Sequence, residues 1–281
     1  MLDKSINPYR DDLAAIKLKG MVNAPKYVEP QTFQIVKSAA PILAKPAQKA
    51  EQISEALCGE IMEVYDVSNG FAWGQLVKDQ YVGYVSIDAI CNNIVTTTHK
   101  VKVLRTYGFE NPNVKTPIIG TFSLGAEVCA TGETANGFAN CGVHGWIHET
   151  HLSEIGEYAS DPIAIAKWFL KAPYLWGGKQ SFGLDCSGLT QIAFAACGIN
   201  LPRDSRLQET IGENIEFDGG LHNLRAGDLV FWQGHVAMLI DDVNIIHANA
   251  YHMMVEIEPL SAAKERSDAS GIALRTISRI L

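Results

Sequence analysis

Between about residues 41 and 95, apolar and polar positions alternate in short runs: EIMEVYDV, FAWGQLV and YVGYVSI. Breaks fall at Asn69-Gly70 and Lys78-Asp79. Period-two alternation in runs this short, closed by turn residues, predicts strands of a small β-barrel. Residues 117–152 repeat the theme in the same order. Gly125-Ala126-Glu127-Val128, Gly137-Phe138-Ala139 and Gly145-Trp146-Ile147 follow Gly59-Glu60-Ile61-Met62, Gly70-Phe71-Ala72-Trp73 and Gly83-Tyr84-Val85. An internal repeat of this kind predicts two related barrels. Residues 1–40 read as a lead-in, with a short helix over 11–19 followed by a stretch punctuated by Pro25, Pro30 and Pro41.

After residue 153 the pattern changes. Asp161-Pro162 predicts a helix start, with Ile163, Ala166, Trp168, Phe169 and Leu170 as its apolar face and Pro173 as its stop. A second helix is expected from Asp185 or Cys186 to Cys197, ending at Gly198 in the left-handed position that closes many helices. Its interior, SGLTQIAFAAC, is nearly all apolar or small and predicts a buried helix. Strands are expected over 228–232, 235–241, 244–248 and 255–259. Helices followed by antiparallel strands make this part α+β. The domain organisation expected is 1–40 lead-in, 41–95 first barrel, 96–154 second barrel and 155–281 α+β domain.

Composition narrows the function. The chain has 281 residues, 47% of them hydrophobic and 19% charged, so it has ample material for packed cores. Its formal charge of −8 with no basic run argues against nucleic acid and anionic membranes as partners. No apolar run approaches the ~20 residues of a membrane span. The opening MLDKSINPYRDDLAAIKLKG has no apolar core of an export signal, so a cytoplasmic location is expected; the protein is expected to act as a monomer. Of six cysteines, most are expected to be free and buried.

Cys186 stands apart because it opens the buried helix, after the loop Tyr174-Leu175-Trp176-Gly177-Gly178. Unpaired amides and the helix dipole favour negative charge there, so a lowered thiol pKa and a ready nucleophile are expected. A nucleophile needs a base, and the base needs an orienting group. His235 opens one apolar strand and His247 ends the next. A tight turn at 241–244 would bring the two together, so that Cys186 attacks, His235 moves the proton and His247 orients His235. Cys141, His144, His148 and His151 carry metal-binding types, but their spacing matches no common motif and strand alternation would scatter them, so no metal is expected.

These residues resemble the NlpC/P60 cysteine peptidases. The resemblance is carried by Pro173-Tyr174-Leu175-Trp176-Gly177-Gly178, Asp185-Cys186-Ser187-Gly188-Leu189 and Leu201-Pro202-Arg203-Asp204-Ser205. Arg225-Ala226-Gly227-Asp228-Leu229-Val230-Phe231, Gly234-His235-Val236 and Ile246-His247-Ala248 extend it in order over about residues 158–260. The two barrels resemble bacterial SH3-like domains. The arrangement as a whole is similar to γ-D-glutamyl-L-diamino-acid endopeptidases of the dipeptidyl-peptidase VI type. The resemblance implies an α+β papain-like peptidase domain, a Cys-bearing helix on an antiparallel sheet, preceded by two small SH3-like β-barrels. It implies hydrolysis of the bond between γ-D-Glu and a diamino acid in murein peptides with a free N-terminal L-Ala, releasing L-Ala-D-Glu, in cell-wall peptide recycling. No metal or organic cofactor is implied.

By the same resemblance Cys186, His235 and His247 form the triad. Tyr174 lies beside the developing oxyanion, Asp185 meets the L-Ala amine, and Ser187, Arg203 and Ser205 hold the free α-carboxylate of D-Glu. A γ-linked Glu presents a carboxylate where an ordinary peptide has none, which suits Arg and hydroxyls. Trp176 is expected to touch the substrate. Tyr81 and an acid, Glu51 with Glu55 and Glu60 as rivals, are expected to close the amine-binding end. Two other readings remain open: a related Cys-His amidase or acyl-transferase, and a wall- or protein-binding module with a vestigial peptidase.

Overall fold

A computed structural model describes residues 2–216 and 223–280, in two compact units, Met1–Glu157 and Tyr158–Leu281. In the first unit a seven-stranded antiparallel sheet runs in the spatial order Gln52–Leu57, Ala39–Leu43, Val82–Ser86, Phe71–Leu76, Ile61–Ser68, Gln31–Ile35 and Ile90–Cys91. The sheet therefore begins at Gln31 rather than at residue 41, inside the stretch read as a lead-in. Its core holds Ile35, Ile42, Met62, Leu76 and Val85. No helix forms over 11–19; Ala14–Ala15 pairs with Tyr27–Val28 and a short 3-10 turn follows at Ile16–Leu18. Nine residues rarely sustain a helix alone. Here Leu13, Ala15 and Leu18 pack as an irregular strap against Tyr65, Trp73 and Val82.

The remainder of this unit holds a three-stranded and a five-stranded sheet between His99 and Glu154, around a separate core of Val101, Phe122, Val128 and Ile147. The repeat seen in the sequence is also conformational. Asn69 and Gly70 take φ of 53° and 79°, and Asn136 and Gly137 take 51° and 78°. Paired left-handed residues make the hairpin turn that matches strand twist, and only Asn and Gly enter that region cheaply.

In the second unit, helix α1 (Pro162–Trp168) starts as expected, with the Asp161 carboxylate accepting from Ile163 N at 2.8 Å. Helix α2 (Cys186–Ala196) is capped by Asp185, whose Oδ1 accepts from Gly188 N at 2.8 Å. It ends with Gly198 at φ +83°, Ile199 N donating to Phe194 O and Gly198 N to Ala195 O. That paired closure satisfies carbonyls the helix would otherwise leave bare. Helix α3 (Ser205–Gln208) is a single turn.

The sheet comprises β1 (Glu213–Ile215), β2 (Leu229–Trp232), β3 (His235–Leu239), β4 (Asn244–Asn249), β5 (Met254–Pro259) and β6 (Leu274–Arg279), in the order β1-β6-β2-β3-β4-β5, antiparallel throughout. Helix α2 packs on β3 and β4. Helix α4 (Leu260–Ala269) contributes Leu260 and Ala263 to a core with Val230, Ala237, Ile245 and Ile277. Four strands, β2 to β5, fall where the sequence predicts them; α4 and β6 have no predicted counterpart. Arg279 on β6 grips Asp228 with bonds of 2.8 and 2.7 Å, which locks the last strand beside β2. No helix among the described residues is long and apolar enough to cross a membrane.

Candidate active site

Cys186 is the first residue of α2 and is 5% exposed. Two backbone amides face its sulfur, those of Val236 and Ser187. Val236 directly follows His235, so this contact ties the start of β3 to the start of the cysteine helix. The thiol is nevertheless not lowered as its helix position alone implies. Burial and the Asp185 charge push it up to about 12, against the opposing pull of the two amides and Arg203. Desolvation of a thiolate outweighs the helix dipole here.

The two histidines meet as expected. The turn after β3 is closed by Asp241 Oδ1, which accepts from Val243 N and Asn244 N at 2.9 and 2.6 Å. The register Met238↔Ile246 then sets His235 and His247 diagonally across β3 and β4. His235 Nε2 lies 2.9 Å from His247 Nδ1, and the rings are 5.1 Å apart. Burial, His247 and Arg266 hold His235 down to about 3, and burial also lowers His247. Burial thus favours the neutral form of both imidazoles and of the thiol.

Holding a partly buried histidine neutral makes folding sensitive to pH. A free histidine titrates near pH 6.5. From about pH 6.5 down to about 3 the unfolded chain binds a proton at residue 235 that the folded chain does not, so stability falls with pH across that window and is untouched above it. Melting temperatures between pH 7 and 4 should fall more steeply for the native protein than for His235→Gln. Parallel profiles would mean that His235 is not buried as a neutral base.

A residue the sequence reading missed completes the line. His247 Nε2 lies 2.8 Å from Glu258 Oε1, and Arg266 of α4 bonds both carboxylate oxygens, Nη1 to Oε2 at 2.9 Å and Nη2 to Oε1. Although burial opposes it, His247 and Arg266 hold Glu258 down to about 2. The only available signal was period two: Glu256 and Glu258 share the face of β5 turned with His247.

Asp185 and Arg203 form a buried pair. Arg203, 1% exposed, bonds Asp185 Oδ1 and Oδ2 at 2.9 and 2.7 Å, Ser187 Oγ at 2.9 Å and Gly178 O at 3.2 Å. Asp185 also accepts from Gly177 N at 2.9 Å and, weakly, from Ser187 Oγ at 3.3 Å. The pair thus pins the glycine loop to the start of α2. The approach is close: a Cβ on Gly188 would meet Gly178 O at 2.3 Å. Tyr174 is half-buried and lies in the field of the thiol, and burial followed by Cys186 and Asp185 raises its hydroxyl. Ser205 is 9% exposed at the start of α3, and Trp176 is 55% exposed on the glycine loop.

The other expected residues lie in the first unit. Tyr81 is 5% exposed in the barrel, Glu55 and Glu60 are 4% exposed, and Glu51 is exposed. Of the other candidate ligands, Cys141 Sγ donates to Ala139 O and His144 faces Cys58 Sγ, while the His148 and His151 rings lie 5.3 Å apart, His148 hydrogen-bonded to Thr150 and His151 to Thr106. Among the described residues His247, His252 and Glu258 bring possible metal-ligating atoms within 4.8 Å of one another, but Arg266 already takes both Glu258 oxygens.

A thiol at the head of a helix packed on an antiparallel sheet, with linked histidines on adjacent strands, is the arrangement of papain-like thiol hydrolases. Residues 171–269 match the NlpC/P60 family, and residues 42–90 match the bacterial dipeptidyl-peptidase Sh3 domain. The chain carries an NlpC/P60 domain behind an SH3 domain of that type. Of the two SH3-like barrels expected, the match covers the first.

The chain is 41% identical over 111 residues to a protein of Bacillus cereus named gamma-D-glutamyl-L-lysine dipeptidyl-peptidase, covering 37% of this chain and 32% of that one. It is 25% identical over 239 residues to dipeptidyl-peptidase 6 of Lysinibacillus sphaericus, covering 76% and 86%. The match thus spans about a third of the Bacillus cereus relative. The fold is shared with the crystal structure of an NlpC/P60 family protein from Bacillus cereus, at a TM-score of 0.75 and 20% identity over 89% of this chain and 99% of that one.

Proposed function

We propose that the protein is a cysteine peptidase that cleaves the bond between γ-D-Glu and a diamino acid in murein peptides bearing a free N-terminal L-Ala. The observation that carries this reading is the placement of Cys186 against β3 together with the His235–His247 hydrogen bond. The names of the relatives, gamma-D-glutamyl-L-lysine dipeptidyl-peptidase and dipeptidyl-peptidase 6, support the bond and the dipeptide product.

Because burial favours the neutral thiol and the neutral imidazole, the proton moves as attack begins. Cys186 Sγ passes its proton to His235 and bonds the γ-carbonyl carbon. The oxygen takes up the electron pair beside the Tyr174 hydroxyl. Collapse of this adduct breaks the C–N bond, and His235 returns the proton to the departing diamino-acid amine. Water, deprotonated by the same His235, then hydrolyses the thioester and releases L-Ala-D-Glu.

Asp185 meets the L-Ala amine while sharing its charge with Arg203. Ser187 and Ser205 offer hydroxyls to the free α-carboxylate of D-Glu, and Ser187 gives up only a weak bond to do so. Arg203 backs Ser187 from the buried side. Such a site selects peptides whose L-Ala amine is free. Those are released fragments, which suits a role in recycling inside the cell.

The test is mass-spectrometric turnover of L-Ala-γ-D-Glu-meso-diaminopimelate and L-Ala-γ-D-Glu-L-Lys beside their N-acetylated forms. The expected result is L-Ala-D-Glu from the free peptides, with acetylation lowering kcat/KM by about 100-fold, the scale of one charge-assisted hydrogen bond in a buried site. Equal cleavage of both forms would keep the peptidase and discard the amine role of Asp185. No cleavage of any would overturn the substrate assignment.

A further inference from the structure

We propose that Glu258, clamped by Arg266, is a positioning residue that sets the tautomers of two successive imidazoles and so makes His235 Nδ1 the site's base. The inference rests on the reading of Cys186 and His235 as nucleophile and base. It begins at the far end of the line. An ionised carboxylate has only acceptors, and the guanidinium on both Glu258 oxygens keeps it ionised. The hydrogen in the 2.8 Å contact with His247 therefore sits on His247 Nε2.

A neutral imidazole carries one N–H, so His247 Nδ1 is bare and must accept. Its partner at 2.9 Å, His235 Nε2, must then donate. His235 is neutral as well, so its Nδ1 is left with a lone pair. A protonated or uncharged group at position 258 would remove this direction, because an amide or acid can also donate. His247 could then present Nδ1–H to His235, whose Nε2 would accept and whose Nδ1 would carry the hydrogen instead of a lone pair. The other charged or titratable groups around His247 do not share the role. His252 bonds Asn249 Oδ1, and Glu256, on the same strand, is paired with Lys171.

The two ends of the line have opposite electrostatic signs. Glu258 raises the proton affinity of both histidines, while Arg266 lowers it. Glu258→Gln should therefore move the acid limb of the kcat profile to lower pH, and Arg266→Gln should move it to higher pH. A purely structural role predicts no such opposition.

The experiment combines ¹⁵N-histidine NMR with pH profiles of kcat and KM for the full chain. In the native protein both His235 and His247 should show the Nε2–H tautomer. Glu258→Gln should mix the tautomers and lower kcat by about 10- to 100-fold with KM within about twofold, part of what a well-placed base contributes. Glu256→Gln, which alters the same strand outside the line, should leave tautomers and kcat unchanged. Retained Nε2–H tautomers and native kcat in Glu258→Gln would overturn the proposal, as would an equal loss in Glu256→Gln. The NMR arm needs no substrate. If the native protein leaves the murein peptides uncut yet Glu258→Gln still shifts both tautomers, the substrate reading falls and the role of Glu258 stands.

Discussion

Cys186→Ala should abolish turnover of L-Ala-γ-D-Glu-diamino acid peptides, by about 10⁴-fold or more, because loss of a nucleophile removes the covalent route itself. The fold should barely register the change. The Asp185 cap acts through its own carboxylate on the Gly188 and Gly177 amides, and both bonds survive at an alanine. Removing one sulfur from a buried position costs about 1 kcal/mol of transfer and cavity energy. Turnover followed by mass spectrometry and unfolding followed by circular dichroism separate the two effects. Residual activity above about 1% of native, on the same scale of nucleophile loss, would place the nucleophile on another cysteine. The structure argues against that outcome: Cys186 is the cysteine that opens a helix and has the Val236 amide, next to His235, against its sulfur, whereas Cys197 lies at the far end of the same helix.

Arg203→Met should produce the largest loss of stability, about 3–5 kcal/mol, the usual cost of stripping one partner from a buried ion pair. Asp185 would keep a charge at 5% exposure without two of its strongest donors. Gly178 O and Ser187 Oγ would each be deprived of a donor at the same time. Arg203→Lys should recover only part of the loss, since an ammonium cannot span both carboxylate oxygens as the planar guanidinium does. Chemical denaturation of native, Met and Lys forms measures the order. A Met variant within about 1 kcal/mol of native, far below the usual cost of an orphaned buried charge, would show that the pair contributes little to folding. Asp185→Asn combined with Arg203→Met should cost less than the sum of the single changes, because one removal already relieves the other group's unpaired charge.

Much of the site was legible in the chain because its signals are local. Asp185 as a cap, Cys186 at the first helical position and Gly198 at the close are set by backbone groups only a few residues apart. The strands of His235 and His247 show directly as short apolar runs, and Asp241 to Asn244 reads as the turn that pairs them. The repeat of Asn-Gly turns in the first unit was legible for the same reason. Glu258 was not. Its contact with His247 is diagonal across two strands, and its partner Arg266 sits eight residues on, along a helix with no apolar stripe to announce it. The strap over 11–19 was misread because its apolar residues also fit a helix, and only the aromatic face of Tyr65 and Trp73 decides between the two.

By itself, then, the sequence determined which residues could do the chemistry: a thiol at a helix head, two histidines on neighbouring strands, and an Asp-Cys-Ser start followed by an Arg. The tertiary structure decided how they are charged and aimed. It buried the thiol so that desolvation overrides the helix dipole, committed Arg203 to Asp185, and ended the histidine line on Glu258 and Arg266. The division has a physical origin. Capping, turns and alternation are satisfied by neighbouring backbone groups, whereas a proton affinity sums the burial and charges that distant segments bring together.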